Sequence, residues 1–241
     1  MVIHLKRSPE RLEAFRSRFA STSLAIEPLA GIDGLALDGP WLVQQGLLDA
    51  SALEWPKGHL GCACSHIRAL LRCLRRKRPL LIFEDDAIAP PGWEQQLNAL
   101  LAQAPPAWEM LLLGWNLDSC LQLEWAPGQT FTSLFQPRFP TEWDLSVALS
   151  AVHQRQWLRL QKGLGLAGYV VNPEAAARLL EWALPLRTLP IDVPELPRRP
   201  CFSLDGQLNH LYPNLRIWAS FPPLLLGLND KRLSQTSQPS T

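Results

Sequence analysis

Residues 79–93 read PLLIFEDDAIAPPGW, from Pro79 to Trp93. Leu80 to Phe83 form an apolar run of strand length, and three consecutive carboxylates follow at Glu84, Asp85 and Asp86 before Pro90 and Pro91 stop any helix. Upstream, HLGCACSHIRALLRCLRRKRP has helical spacing that ends at Pro79. A helix therefore passes directly into a strand, and the strand ends in concentrated negative charge.

The same alternation continues in both directions. MVIHL is a short strand, followed by RSPERLEAFRSRF as a helix with Ser8 at the N-cap, Pro9 in the first helical position and Leu12, Phe15 and Phe19 on one face. A second strand in LAIEPLAGIDG ends in the loop chemistry of Gly31, Asp33 and Gly34. In the helix before Pro79, Ile67, Leu70, Leu71 and Leu74 are expected to face inward, with Arg68, Arg72, Arg75, Arg76 and Lys77 outward. Beyond the acidic triplet come a helix over about 93–103, the strand EMLLLGW, and a long Trp- and Pro-bearing region to about residue 165. GLAGYVVNPEAAARLLEWAL then supplies a Gly-rich approach, a short strand, and a helix opened by Asn172 and Pro173. LRIWASFPPLLLG is a late strand. Strands alternating with helices predict an α/β fold, a mostly parallel central sheet flanked by helices. One domain is expected over residues 1–232, with a disordered polar tail at 233–241.

The chain of 241 residues is long enough for a substantial core, and 47% hydrophobic with 19% charged residues excludes long disorder. A net charge of +1 gives no global attraction to nucleic acid. The first residues lack the apolar region of a signal peptide, and no run approaches the roughly 18 apolar residues of a membrane span, so a cytoplasmic protein is expected. Five cysteines in that setting read as reduced thiols. Cys62 and Cys64 lack a second Cys or His pair at zinc spacing and read as buried small-residue packing.

In an open α/β sheet, ligands bind outside the carboxyl ends of the strands, where Glu84 to Asp86 must lie. Three adjacent carboxylates repel unless solvated, partly protonated or neutralised by a cation. Mg²⁺ or Mn²⁺ suits such oxygen ligands and leaves room for phosphate oxygens. Two readings stand at this point, a metal-diphosphate anchor and a solvated strand end. A phosphoacceptor site would need acidic residues after the first strand, where this chain has Lys6 and Arg7.

Four segments, IHLKRSPERLEAF, KGHLGCACSHIRALLRC, PLLIFEDDAIAPPGW and GLGLAGYVVNPEAAARLL, together resemble glycosyltransferase family 25 in order and separation. The resemblance implies a GT-A-like nucleotide-binding fold, a UDP-sugar donor carrying galactose or glucose, a divalent cation (Mn²⁺ or Mg²⁺), and inversion at the anomeric carbon. It maps the EDD triplet onto the family's DxD-type motif, with Asp86 on the metal, Glu84 on the metal, around it or on the ribose, and Asp85 around the metal or on the ribose. It also maps Leu5, Arg7, Ser8 and Arg11 onto the N-terminal loop that meets the nucleotide. Ser65 and His66, with Gly61, fall in the family's G-C-x-x-S-H segment. Gly168 and Tyr169 fall beside the donor and acceptor sugars, Tyr169 as a stacking face. Each position has a plainer reading: a capped helix with surface arginines, a structural histidine, a core tyrosine.

Inversion needs a carboxylate base opposite the leaving diphosphate. The family pattern has one Asp after the Gly-Tyr segment, whereas this chain has Asp192 and Asp205. The context of Asp205, a helical pattern and then a strand, favours it; Glu142 and Asp144 are further candidates. Trp115, Trp143 and Trp157 fit either sugar platforms or core. The implied partners are a nucleotide-sugar donor and a saccharide or glycolipid acceptor of a lipopolysaccharide or other surface glycan. The outward arginines allow peripheral association with the inner face of a membrane. The competing reading is a catalytically degenerate member that binds glycans or partners.

Overall fold

The computed structural model describes residues 1–135, 141–152, 154–193 and 196–228; the tail expected at 233–241 lies outside the described residues. Along the chain run β1 (Val2–His4), α1 (Pro9–Arg18), β2 (Pro28–Ala30), α2 (Gly39–Gln44), α3 (Lys57–Arg76), β3 (Leu80–Glu84), β4 (Ala87–Ile88), α4 (Trp93–Ala102), β5 (Met110–Leu112), β6 (Cys120–Ala126) and β7 (Gln129–Leu134). They are followed by α5 (Glu142–Ser150), β8 (Gln156–Gly163), β9 (Gly168–Val171), α6 (Pro173–Ala183), β10 (Leu189–Pro190), β11 (Pro200–Cys201), α7 (Leu204–Leu208), β12 (Ile217–Phe221) and β13 (Leu226–Gly227).

Nine strands form one sheet in the order β2-β1-β3-β9-β5-β12-β8-β6-β7. The α/β class is as expected, but the sheet is mixed rather than mostly parallel. Only β2/β1, β1/β3 and β5/β12 pair in parallel; the other five neighbouring pairs are antiparallel. One reason is β9, which enters between β3 and β5 running against both. The other is the region read only as rich in Trp and Pro, which forms the antiparallel meander β6-β7-β8 at the sheet edge. A two-residue turn at Pro127 and Gly128 closes β6 onto β7, and Gly128 takes φ +73, a conformation that glycine adopts without strain.

The strands sort their side chains by alternation. Leu80, Ile82, Met110 and Leu112 enter the apolar layer under α3 and α6, whereas Leu81, Phe83 and Leu111 enter the opposite layer with Leu12, Phe15 and Phe19 from the α1 segment and Trp93 and Leu97 of α4. Phe15 and Phe19 stack at 4.3 Å, and Trp93 meets Phe83 edge-on at 5.8 Å. With both faces covered, the ends of the strands are left to present chemistry.

α3 buries more than its expected stripe. Ile67 and Leu70 are inward as predicted, but Leu71 is 38% exposed and the small residues Gly61, Ala63, Ser65, Ala69 and Cys73 are buried, because the helix packs on α6 as well as the sheet. Lys77 ends the helix in a left-handed conformation two residues before Pro79. Arg68 donates to the Ala30 carbonyl at 2.9 Å and Arg76 pairs with Glu27, so part of the outward basic face is tied into the chain. No helix among the described residues is long and apolar enough to cross a membrane.

Candidate active site

β1, β2 and β3 run in parallel, so the loops that follow them open at one edge of the sheet. In the first loop, the Ser8 amide donates to the Leu5 carbonyl at 3.0 Å and the Arg11 amide to the Ser8 carbonyl at 3.2 Å. Leu5 and the buried Ser8 thus shape the turn into α1, while the two arginines project from it. Arg7 Nε meets Asp33 Oδ2 of the second loop at 2.8 Å. Arg11 Nε donates to Asp85 Oδ1 at 2.8 Å, its Nη2 contacts the same oxygen, and Asp86 Oδ2 lies 3.8 Å away. Burial raises the Asp85 carboxyl above its ordinary range and Arg11 opposes that rise.

The G-C-x-x-S-H segment divides into two stripes because residues four apart share a helix face. Gly61 and Ser65 face the second loop. A Cβ on Gly61 would come within 2.5 Å of the Gly34 amide and 2.6 Å of the Ile32 carbonyl, and Ser65 Oγ accepts from the Ile32 amide and donates to the Gly61 carbonyl, both at 2.7 Å. Ser65 therefore staples loop to helix in this structure. Cys62 and His66 face the acidic strand end.

His66 is buried between two partners. Its Nε2 lies 3.0 Å from Glu84 Oε1 and its Nδ1 3.0 Å from the Tyr169 hydroxyl. Burial raises the Glu84 carboxyl; His66 opposes the rise, and the charges of Asp86 and Asp205 add to it. Cys62 Sγ donates to Glu84 Oε1 over a long 4.0 Å. Burial, then the fields of Glu84 and Asp205, push this thiol well above its ordinary range. Donor atoms of Cys62, His66 and Glu84 lie within 4.8 Å of one another, the arrangement of a metal cluster, although Cys64 takes no part. Held as a neutral thiol, with His66 engaged on Glu84, this set is satisfied as a hydrogen-bonded network.

Asp86 differs from its neighbours. Its Oδ1 is buried and has no hydrogen-bond partner among the described residues. An orphaned carboxylate oxygen at a strand end beside two further acids has the chemistry of a hard-cation ligand.

Gly168 and Tyr169 depart from their expected roles. A Cβ on Gly168 would overlap the Leu225 side chain, so the glycine serves packing rather than the approach of a ligand. Tyr169 is 2% exposed and offers no open stacking face; its hydroxyl instead meets His66. Here the glycine that needs its conformational freedom is Gly165, at φ +97 against the side chain and amide of Asn116. Its amide donates to Asp205 Oδ2 at 2.7 Å.

The two late aspartates separate clearly. Asp205, in the first turn of α7, acts electrostatically on Glu84, Cys62 and Tyr212. Asp192 pairs with Lys162, has His210 at 3.8 Å, and is held below the usual carboxylate range first by the Lys162 hydrogen bond. Asp144 closes a capping box with Thr141, and Glu142 meets Arg18 at 3.3 Å. Trp115 stacks on Phe221 and Trp157 donates to the Leu100 carbonyl, both in the core; Trp143 is 76% exposed.

Three contributors were not singled out from the sequence as site residues. Asp33 receives Arg7, Arg18 donates to the Asp85 carbonyl at 2.8 Å, and His59 contacts the Phe202 carbonyl at 2.9 Å, linking α3 to the segment before α7. For His59 the signal was its spacing, one turn before Cys62 and two before His66; Arg18 carried no signal in the local pattern.

The sequence profile described as glycosyltransferase family 25 (LPS biosynthesis protein) matches residues 1–194. A protein of Drosophila melanogaster named "Glycosyltransferase 25 family member" is 30% identical over 111 residues, which is 43% of this chain and 18% of that protein. The chain thus spans less than a fifth of that relative's length. The chain belongs to glycosyltransferase family 25.

Proposed function

We propose that the chain moves a hexosyl group, galactose or glucose, from a UDP-sugar to a saccharide hydroxyl with inversion, on a GT-A-like scaffold. The acceptor is a lipopolysaccharide or other surface-glycan precursor, reached from the cytoplasmic face of a membrane. The observation that carries this reading is the orphaned Asp86 Oδ1 at the edge where β1, β2 and β3 end, in a chain of this family.

Asp86 fits a divalent cation, Mn²⁺ or Mg²⁺, as its principal ligand, with Glu84 contributing beside it. When bound, the cation supplies positive charge to the diphosphate leaving group. Arg11 holds Asp85 against the pull of burial and keeps a guanidinium at the same edge. The Arg7–Asp33 bridge fixes the two loops where a nucleotide would lie. Asp205 is the base. The Gly165 amide anchors Oδ2, and no hydrogen bond among the described residues engages Oδ1. That oxygen takes the proton of the acceptor hydroxyl as its oxygen bonds to the anomeric carbon, and the bond to the diphosphate breaks with its electron pair leaving on UDP.

The test is isothermal titration of UDP into the protein with Mn²⁺ and with EDTA, repeated for Asp86→Ala. Metal-dependent binding that disappears in the variant supports the reading. A folded protein that binds UDP in neither condition overturns it.

A further inference from the structure

We infer that Tyr169 is a positioning residue that acts through His66 on Glu84. This deepens the nucleotide-sugar reading of the same site and rests on it for its consequence in binding.

Tyr169 is too buried to touch a ligand, and the hydrogen bond of its hydroxyl is to His66 Nδ1. A neutral imidazole carries one ring proton, so the group bound at one nitrogen decides what the other offers. The contacts are 3.0 Å on each side; an ionised Glu84 carboxylate can only accept, which assigns the proton to Nε2 and leaves Nδ1 to accept from the Tyr169 hydroxyl. Behind the two rings is a small cavity whose other lining residues are apolar, Leu70, Met110, Leu166 and Leu204 among them. Both supports are rigid, since Tyr169 lies on β9 between two strands and His66 in the middle of the 20-residue α3.

Glu84 needs such a donor. Asp86 and Asp205 act on it as like charges, and the Cys62 thiol is a weak partner at 4.0 Å. The Nε2–H fixes one carboxylate oxygen and leaves the other for the site. Without Tyr169 the imidazole can hold its proton on either nitrogen, and the tautomer with a bare Nε2 presents a lone pair to Glu84.

The first measurement is long-range ¹H–¹⁵N NMR of the histidine rings, with His66→Gln identifying the His66 signals. The inference requires the Nε2–H tautomer in the wild type and a shift toward mixed tautomers in Tyr169→Phe. The second is a double-mutant cycle in UDP affinity with Mn²⁺. Tyr169→Phe is expected to weaken binding about fivefold to tenfold in the wild type, and less than about twofold when Glu84→Gln is already present. An Nδ1–H tautomer in the wild type, an unchanged tautomer in Tyr169→Phe, or additive effects in the cycle overturns the inference. If the wild type binds no UDP, the functional reading fails while the tautomer measurement still decides the relay.

Discussion

Arg11 closes on Asp85 Oδ1 with two of its nitrogens across 74 residues of sequence. The carboxylate it holds is among the few charged groups buried in this fold. A carboxyl raised by burial gives stability that is fully present below its unfolded value of about 4 and is lost as pH rises through the folded value. Arg11 limits that loss by pulling Asp85 down. Arg11→Ala should therefore cost about 1–3 kcal/mol near neutral pH, through an unpaired buried charge. The deficit should widen from about pH 4 to about pH 8 in urea titrations. A variant whose deficit is the same at both ends would show that Asp85 does not depend on Arg11.

The Asp86→Asn exchange separates stability from ligand binding. Asp86 Oδ1 has no hydrogen-bond partner among the described residues and Oδ2 only the 3.8 Å contact with Arg11, so the variant should unfold within about 0.5 kcal/mol of the wild type. Its Mn²⁺-dependent affinity for UDP should fall at least about tenfold. A clear drop in melting temperature with UDP binding intact would place Asp86 in the scaffold instead.

Much of this site was legible because its parts obey short-range rules. The apolar run Leu80–Phe83, the helix stop before Pro79 and the Ser8-Pro9 helix start all depend on neighbours in sequence, and each formed where the pattern put it. The meander was also written locally, in the alternation of Leu121 and Leu123 with Gln122 and Glu124 and in the Pro127-Gly128 turn, but tryptophan and proline content obscured it. What no local rule supplies is which partners meet across the fold. His66 and Tyr169 are 103 residues apart, and only the insertion of β9 beside β3 turns a motif histidine and a tyrosine into one hydrogen-bonded unit. The surroundings of Asp192 and Asp205 were likewise a matter of tertiary placement: Lys162 meets the first and the Gly165 amide the second.

Gly61 carries a steric prediction. The Gly34 amide and the Ile32 carbonyl occupy the space of a Cβ and are backbone, which cannot rotate away. Gly61→Ala should push α3 from the second loop at a cost of about 1–3 kcal/mol. Because α3 carries His66, UDP affinity should weaken with it. Denaturant midpoints for wild type and variant that coincide would contradict the close approach.

Asp205 and Asp192 give opposite predictions for matched substitutions. Asp192 is paired with Lys162 at a partly exposed position and held below its ordinary range, so its contribution is present above about pH 4 and is lost as pH falls through the depressed folded value. Asp192→Asn should cost about 0.2–1 kcal/mol at neutral pH, converge with the wild type in acid, and leave turnover within about twofold. Asp205→Asn keeps an oxygen able to accept from the Gly165 amide but cannot take a proton, so UDP binding should persist while transfer falls by about 10²-fold to 10⁴-fold. UDP release from a UDP-sugar in the presence of acceptor, followed for both variants, distinguishes them. Loss of turnover in Asp192→Asn with Asp205→Asn active would move the base to Asp192, and with it the face from which the acceptor approaches.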